Sequence, residues 1–534
     1  MSRSAHVDSF ARDNLPPRSQ WPELLFALPQ LRYAARMNCA TELLDRHVAR
    51  GRGARVALRS PEGECSYAQL LAQANRIANL LVRDMGLKPG NRVLLRGPNN
   101  PMMAACWFAV MKAGGIGVAT MPLLRAKELT EVIARAAITH ALCDRRLAGE
   151  LEAVRPQFPG LKNLKYWYDD ATDALIGEQS AEFRNVDTAA DDVALIAFTS
   201  GTTGKPKGTM HFHRDVIAMS DCFPRSILGM RADDVVCGTP PLAFTFGLGG
   251  MLCFPLRCGA STVLVEKLTP ETLLETIQKF KATVCFTSPV MYRGMAGVAR
   301  KFDITSLEKC VSAGEALPDA TRELFKSATG IEIIDGIGST EMIHIFISHT
   351  PLRVRRGATG YAIPGYRATV LDEDGKPCAP GEIGRLAVKG PTGCRYLADE
   401  RQKSYVHDGC NLTGDAYLMD EDGYFFFQSR TDDMIISAGY NIAGPEVEDA
   451  LLAHPAVAEC GVIGAPDEER GTIVKAFVVL KKDFPKNDET AKVLQDHVKA
   501  AIAPYKYPRA IEFVDALPRT ETGKLQRFKL RTPA

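Results

Sequence analysis

From Ala40 to Asp144 the spacing of apolar positions switches repeatedly between a helical and a strand period. Ser66 stands just before Leu70, Ala74, Ile77, Leu80 and Leu81, which share one helical face, so the pattern predicts a helix capped by the serine hydroxyl. Lys88-Pro89-Gly90-Asn91 predicts a turn, Arg92–Leu95 a strand, Met102–Lys112 a helix and Gly115–Thr120 another strand. The cycle returns with a strand at Thr262–Val265, a helix at Pro270–Phe280 and a strand at Ala282–Phe286. Strands alternating with helices in this way imply a parallel sheet covered by helices.

The texture changes near Arg367. Ala368–Leu371 and Gly384–Val388 flank Asp372-Glu373-Asp374-Gly375, a hairpin signal, and short strands continue to Tyr424–Phe427. A β-rich subdomain over about 350–430 is the expectation. Beyond Arg430 a helix around Glu446–Ala453 and strands at Ala456–Ile463 and Val474–Leu480 read as a separate α+β unit, 431–534, set against a large domain, 1–430.

Composition narrows the function classes. At 534 residues the chain exceeds what one core supports, so two or more domains are expected. A net charge of +2 gives no basis for a nucleic-acid or anionic-membrane surface. Fourteen cysteines without a Cys-x-x-Cys pair indicate neither a zinc knuckle nor a disulfide framework; they read as reduced, mostly buried thiols of a cytoplasmic protein. Met1–Pro17 carries Arg3, Asp8, Arg12 and Asp13 with no apolar run and does not read as a signal peptide. Pro101–Leu124 is the most apolar stretch, but Lys112, Gly114 and Gly115 interrupt it, so no membrane span is expected.

The candidate chemistry centres on Thr199-Ser200-Gly201-Thr202-Thr203-Gly204-Lys205-Pro206-Lys207-Gly208. Ten residues hold four hydroxyls, three glycines and two lysines, and the apolar run Val193–Phe198 leads into them as a buried strand. Glycines let several backbone N–H groups face one anion, hydroxyls add neutral donors, and Lys205 and Lys207 add charge suited to phosphate. The stretch is not a Walker loop. Gly201 and Gly204 are too close together, and Pro206 follows Lys205, where its missing N–H and fixed φ prevent the usual helix.

Other stretches carry weaker signals one by one. Gly336-Ile337-Gly338-Ser339-Thr340-Glu341 follows a predicted strand end, where open α/β sheets place ligands. There Glu341 can hold Mg²⁺ against phosphate oxygens and Thr340 can donate to the same phosphate. Gly314-Glu315-Ala316 offers glycine backbone to a flat ligand. Asp415, in Thr413-Gly414-Asp415, suits a vicinal diol, because an ionised carboxylate accepts from two hydroxyls at once. Arg430 can reinforce a ribose or phosphate contact or pair with a nearby aspartate, and Lys524 follows Gly523 near the C-terminus.

Taken together, and in this order, these motifs resemble the adenylate-forming enzymes: acyl-CoA synthetases, peptide-synthetase adenylation domains and luciferases. The resemblance spans Thr199 to Lys524. It implies a large N-terminal domain of two α/β layers plus a β-barrel subdomain, with a small mobile α+β C-terminal domain. It implies that Glu341 is the magnesium ligand, Thr340 an α-phosphate contact, Asp415 and Arg430 the ribose binders, and Lys524 the lysine that bridges carboxylate and phosphate. Asp432 would be the hinge, and Gly439 would lie in the segment lining the pantetheine tunnel. ATP, Mg²⁺ and coenzyme A are the implied cofactors and co-substrates. Ile337 stands where many members carry an aromatic residue, and Ala243-Phe244-Thr245-Phe246-Gly247 lacks the histidine common there. Both departures, together with Gly336–Phe346, resemble the aryl-CoA ligase branch, especially benzoate-type and 2-aminobenzoate–CoA ligases.

An acid pocket built on Phe244, Thr245, Phe246, Gly247, Gly338 and His344 is therefore expected, with a small-molecule aromatic acid as substrate. Thr245 stands where benzoate-type ligases tend to have a small apolar residue, so its hydroxyl, with His344, would pair with an ortho amino or hydroxyl group. Two other classes remain open at this stage: an adenylation enzyme loading a carrier protein, and a non-catalytic nucleotide-binding scaffold. A homodimer is also left open.

Overall fold

The structure is a computed structural model. It describes residues 3–199, 206–431, 433–437, 440–467, 471–502, 506–519 and 524–531. Ser200, Gly201, Thr202, Thr203, Gly204, Lys205, Asp432 and Gly439, all expected site or hinge residues, lie outside them.

Two sheets form the large N-terminal domain. The first has six strands in the order Asn163–Trp167, His140–Asp144, Arg92–Arg96, Ile116–Thr120, Val193–Thr199 and Lys207–Phe212, with only the last pair antiparallel. The second has nine. Its six parallel neighbours are Val56–Ser60, Ser261–Val263, Val235–Gly238, Val284–Thr287, Lys309–Ser312 and Ile333–Gly338. Antiparallel strands close both edges, Ile345–Ser348 among them.

Helices fill the space between the sheets. Tyr67–Asn79 begins with the predicted cap: Ser66 Oγ accepts from the Gln69 N–H at 3.2 Å, and Gln69 Oε1 accepts from the Ser66 N–H at 2.8 Å. Pro101–Lys112 is apolar on every face and buried from Met103 onward, as a helix between layers must be. One core cluster joins these helices to strands of both sheets.

The β-rich subdomain is a five-stranded antiparallel sheet built from Arg367–Leu371, Ile383–Lys389, Val406–His407, Cys410–Met419 and Phe425–Arg430. The strands expected on either side of Asp372–Gly375 pair as a hairpin, with Leu371 opposite Arg385 and Ala368 opposite Val388. That turn folds the chain back as far as Pro377, which bridges Leu371, and the pairing strand begins later, at Ile383. The smaller C-terminal domain has a three-stranded sheet, Val457–Asp467, Gly471–Leu480 and Ala510–Phe513. Helices Gly444–Leu452 and Asp488–Ala501 cover a core of its own. All fourteen cysteines are unpaired. Among the described residues no helix is long and apolar enough to cross a membrane.

This topology gathers the motifs. Thr199, Gly314, Gly338 and Phe244 lie at or just beyond the carboxyl ends of Val193–Thr199, Lys309–Ser312, Ile333–Gly338 and Val235–Gly238, the edge where open α/β sheets bind ligands.

Candidate active site

The Thr199–Gly208 stretch is a hairpin connection. Thr199 pairs across from Lys207 and Phe198 from Gly208, so a second strand, not a helix, follows the loop. This agrees with the reading that it is no Walker loop. Thr199 Oγ1 is buried without a hydrogen-bond partner among the described residues. Lys207 turns its ammonium onto the Tyr396 hydroxyl, 2.9 Å away, and lies 3.8 Å from Glu341 Oε1. Tyr396 Oη in turn donates to Glu341 Oε1 at 2.6 Å.

Thr340 and Glu341 stand on a tight turn that leaves the end of Ile333–Gly338. The Ile343 N–H bonds back to the Thr340 carbonyl at 3.1 Å, which forces Ile343, a β-branched residue, to φ +66°. Such a conformation is costly and persists only where the surroundings impose it. His211 Nε2 donates to the Thr340 carbonyl at 2.8 Å, and burial lowers the imidazole pKa to about 4, so the ring is neutral. Gly338 admits no side chain, because a Cβ there would come within 2.6 Å of the His344 carbonyl oxygen.

Asp415 and Arg430 are far apart in sequence but directly opposite in register on neighbouring antiparallel strands. Arg430 Nη1 reaches Asp415 Oδ1 at 2.8 Å and the Thr413 carbonyl at 3.1 Å. Burial raises the Asp415 carboxyl above its ordinary value, while Arg430 pulls it back down.

Lys524 comes from the C-terminal domain to this same edge. A Cβ at Gly314 would lie 3.6 Å from Lys524 Cε, and Glu315, Arg430, Asp415 and Glu341 are within electrostatic reach of the ammonium. Desolvation by the crowding walls lowers its pKa, and Glu315 opposes that shift. The residue keeps contact with solvent. The Glu315 side chain also ties the two domains together. It accepts from the Leu525 N–H at 3.1 Å and faces Arg519 Nη1 at 3.5 Å. The Ala320 N–H donates to Asp449 Oδ1 at 3.3 Å and adds a second interdomain bond.

Phe244 and Thr245 face a narrow cavity with Trp107, Leu195 and Ala197. His344 is caged by Phe223, Phe246 and Phe254 with ring centroids 5.9, 5.6 and 4.4 Å away. Burial lowers its pKa to about 3, so it is neutral. Its Nε2 donates to the Phe246 carbonyl at 3.3 Å, which leaves Nδ1 a buried acceptor with no partner among the described residues. Gly247 lies against Pro241, whose carbonyl a Cβ would meet at 2.0 Å. Ile337 is partly buried against the main core.

Sequence reasoning missed Tyr396, His211, Arg519 and Asp335. Only Asp335 carried a linear signal, as an acid two residues before Ile337 at a strand end; the others are joined to the site by tertiary contacts alone.

The profile of the AMP-binding enzyme family matches residues 44–396, and that of the AMP-binding enzyme C-terminal domain matches 446–524. The chain belongs to the AMP-binding enzyme family. This AMP-binding enzyme is 35% identical over 513 residues to benzoate–CoA ligase of Thauera aromatica, covering 94% of this chain and 97% of that one. Its fold is similar to an anthranilate CoA ligase solved with anthranoyl-AMP, with TM-score 0.89, 33% identity, and 94% and 98% of the two chains covered. It is also similar to a benzoate CoA ligase from Burkholderia xenovorans, with TM-score 0.85, 31% identity, and 93% and 100% covered.

Proposed function

We propose that this enzyme activates an aromatic carboxylic acid with ATP, transfers it to coenzyme A, and prefers 2-aminobenzoate. The observation that carries the activation step is Lys524 seated against Gly314, within electrostatic reach of Glu341, Asp415 and Arg430. The acid's carboxylate attacks the α-phosphorus of ATP, the bond to pyrophosphate breaks, and an acyl adenylate forms. Two anions must meet, and the Lys524 charge, preorganised in the cleft, offsets their repulsion. Asp415 accepts from the ribose hydroxyls while Arg430 holds it in place. Gly314–Ala316 and Gly336–Gly338 give close backbone to the base, and Ile337 adds an apolar contact. Thr340 donates to the α-phosphate. The loop Thr199–Lys207, with Ser200 to Lys205, supplies donors to the outer phosphates.

The residues fit a magnesium ion that arrives with the nucleotide. Glu341 offers one carboxylate, and Thr199 Oγ1 is a buried hydroxyl without a partner among the described residues. An ion of this kind takes one or two protein carboxylates and lets phosphate oxygens and water complete its shell. When bound, it would neutralise phosphate charge as pyrophosphate leaves.

In the second step the coenzyme A thiol attacks the acyl carbonyl and AMP departs. A division into 1–430 and 431–534, hinged at Asp432, lets the C-terminal domain withdraw Lys524 and bring Gly439 to the thiol's path. No enzyme nucleophile is needed. Burial pushes thiols such as Cys143 and Cys222 up to about 12, which makes them inert.

For the acid, the aromatic cage around His344 favours a flat ring. The unpaired Nδ1 is an acceptor that an ortho amino group satisfies and plain benzoate does not, a difference worth roughly 1–3 kcal/mol. The similarity to the anthranilate CoA ligase supports the same choice. Benzoate is the second reading, favoured by the Thauera relative. Pyrophosphate–ATP exchange and thioester formation across 2-aminobenzoate, benzoate, salicylate and medium-chain fatty acids test both. Catalytic efficiency about tenfold higher with 2-aminobenzoate than with benzoate is expected. Higher efficiency with benzoate overturns the substrate, and no exchange with any acid overturns the ligase reading.

A further inference from the structure

Tyr396 belongs to no motif, yet the fold immobilises it beside the phosphate hairpin. Its segment lies along Lys207–Phe212 as an added rung. Thr209 bridges Tyr396, the Met210 N–H meets the Arg395 carbonyl at 2.8 Å, and the Leu397 N–H meets the Gly208 carbonyl at 2.8 Å. Gln402, itself buried, accepts from the Tyr396 N–H at 2.8 Å and donates to the Cys394 and Gln20 carbonyls. On the adjacent position Arg395 is fully buried, bonded to Asp215 at 2.8 Å and stacked 4.1 Å over Phe212. The ring edge of Tyr396 meets Tyr405 at 5.6 Å. The hydroxyl therefore has one available direction.

It sits between a cation and an anion. Lys207 Nζ donates to it at 2.9 Å, and it donates to Glu341 Oε1 at 2.6 Å, while ammonium and carboxylate stay 3.8 Å apart. Glu341 Oε2 makes no hydrogen bond among the described residues.

We propose that Tyr396 is a positioning residue for the metal–nucleotide site: its hydroxyl clamps Glu341 Oε1 and holds the Lys207 ion pair at 3.8 Å, short of a direct hydrogen bond that would compete with the divalent cation for the carboxylate. The proposal rests on the reading of Glu341 as the magnesium ligand. Partners that orient ligating groups typically change metal affinity 10–100-fold when removed.

The test uses wild type, Tyr396→Phe and Glu341→Gln, each checked by thermal melting. Mn²⁺ binding in the presence of a non-hydrolysable ATP analogue is followed by electron paramagnetic resonance. Tyr396→Phe is expected to weaken Mn²⁺ binding about tenfold and raise the Mg²⁺ concentration for half-maximal adenylation by a similar factor. The KM for the acid and thioester formation from supplied acyl adenylate should not move. Wild-type Mn²⁺ affinity in Tyr396→Phe, with affinity lost in Glu341→Gln, overturns the role of Tyr396 alone. Unchanged affinity in both overturns the Glu341 reading beneath it. If Tyr396→Phe does not fold, 4-fluorophenylalanine at position 396 fills the space of the hydroxyl without donating; an unchanged Mn²⁺ affinity then overturns the proposal.

Discussion

Asp335 provides a quantitative test of the buried edge of the site. It lies on the strand Ile333–Gly338, 5% exposed, and its Oδ1 has no partner among the described residues. Burial raises its carboxyl from 3.8 to about 7 against the pull of Arg322. The folded chain thus holds this proton more tightly than the unfolded chain. Stability falls as pH rises from the unfolded value through the folded one, and the loss is complete above about 7. Full ionisation costs roughly 4 kcal/mol. The perturbation is Asp335→Asn, which removes the titration while keeping the shape. Equilibrium denaturation of both proteins at pH 5 and pH 8, at fixed ionic strength, gives the stability of the variant minus that of wild type at each pH. Because the static effect of the amide cancels between the two pH values, only the titration remains. The difference should move in favour of the variant by about 2–3 kcal/mol from pH 5 to pH 8. A constant difference, or one that moves the other way, refutes a buried proton-holding Asp335.

Two further outcomes follow from the interdomain contacts. Lys524→Ala should lose adenylation, read as pyrophosphate exchange, yet form thioester from supplied acyl adenylate; equal loss in both half-reactions removes Lys524 from the first step. Glu315→Gln discards the charge facing Arg519 and weakens the acceptor for the Leu525 N–H. It should slow adenylation severalfold and increase protease cleavage near residues 431–440, with thioester formation retained; wild-type cleavage and adenylation would show that Glu315 does not hold the C-terminal domain.

The local elements were largely readable from the chain, because each depends on nearby residues. Ser66 and Gln69 form the capping box within one turn, and Pro270–Phe280 is bounded as its periodicity predicts. The hairpin signal at Asp372–Gly375 was readable for the same reason: the two short strands on either side of it, Arg367–Leu371 and Ile383–Lys389, are the ones that pair.

For the site, composition and spacing marked Thr199–Gly208, Gly336–Glu341 and Asp415 as places where donors and acceptors concentrate, and the parallel strands leading to the first two put them at the carboxyl ends of their sheets. Only the tertiary structure decided which side chains meet. Register set Asp415 opposite Arg430, domain docking gave Glu315 its bonds to Leu525 and Arg519, and packing caged His344 among Phe223, Phe246 and Phe254. Tyr396 was invisible for the same reason: a hydrogen bond needs atoms within about 3 Å, and no local pattern encodes a contact between residues separated by a whole subdomain.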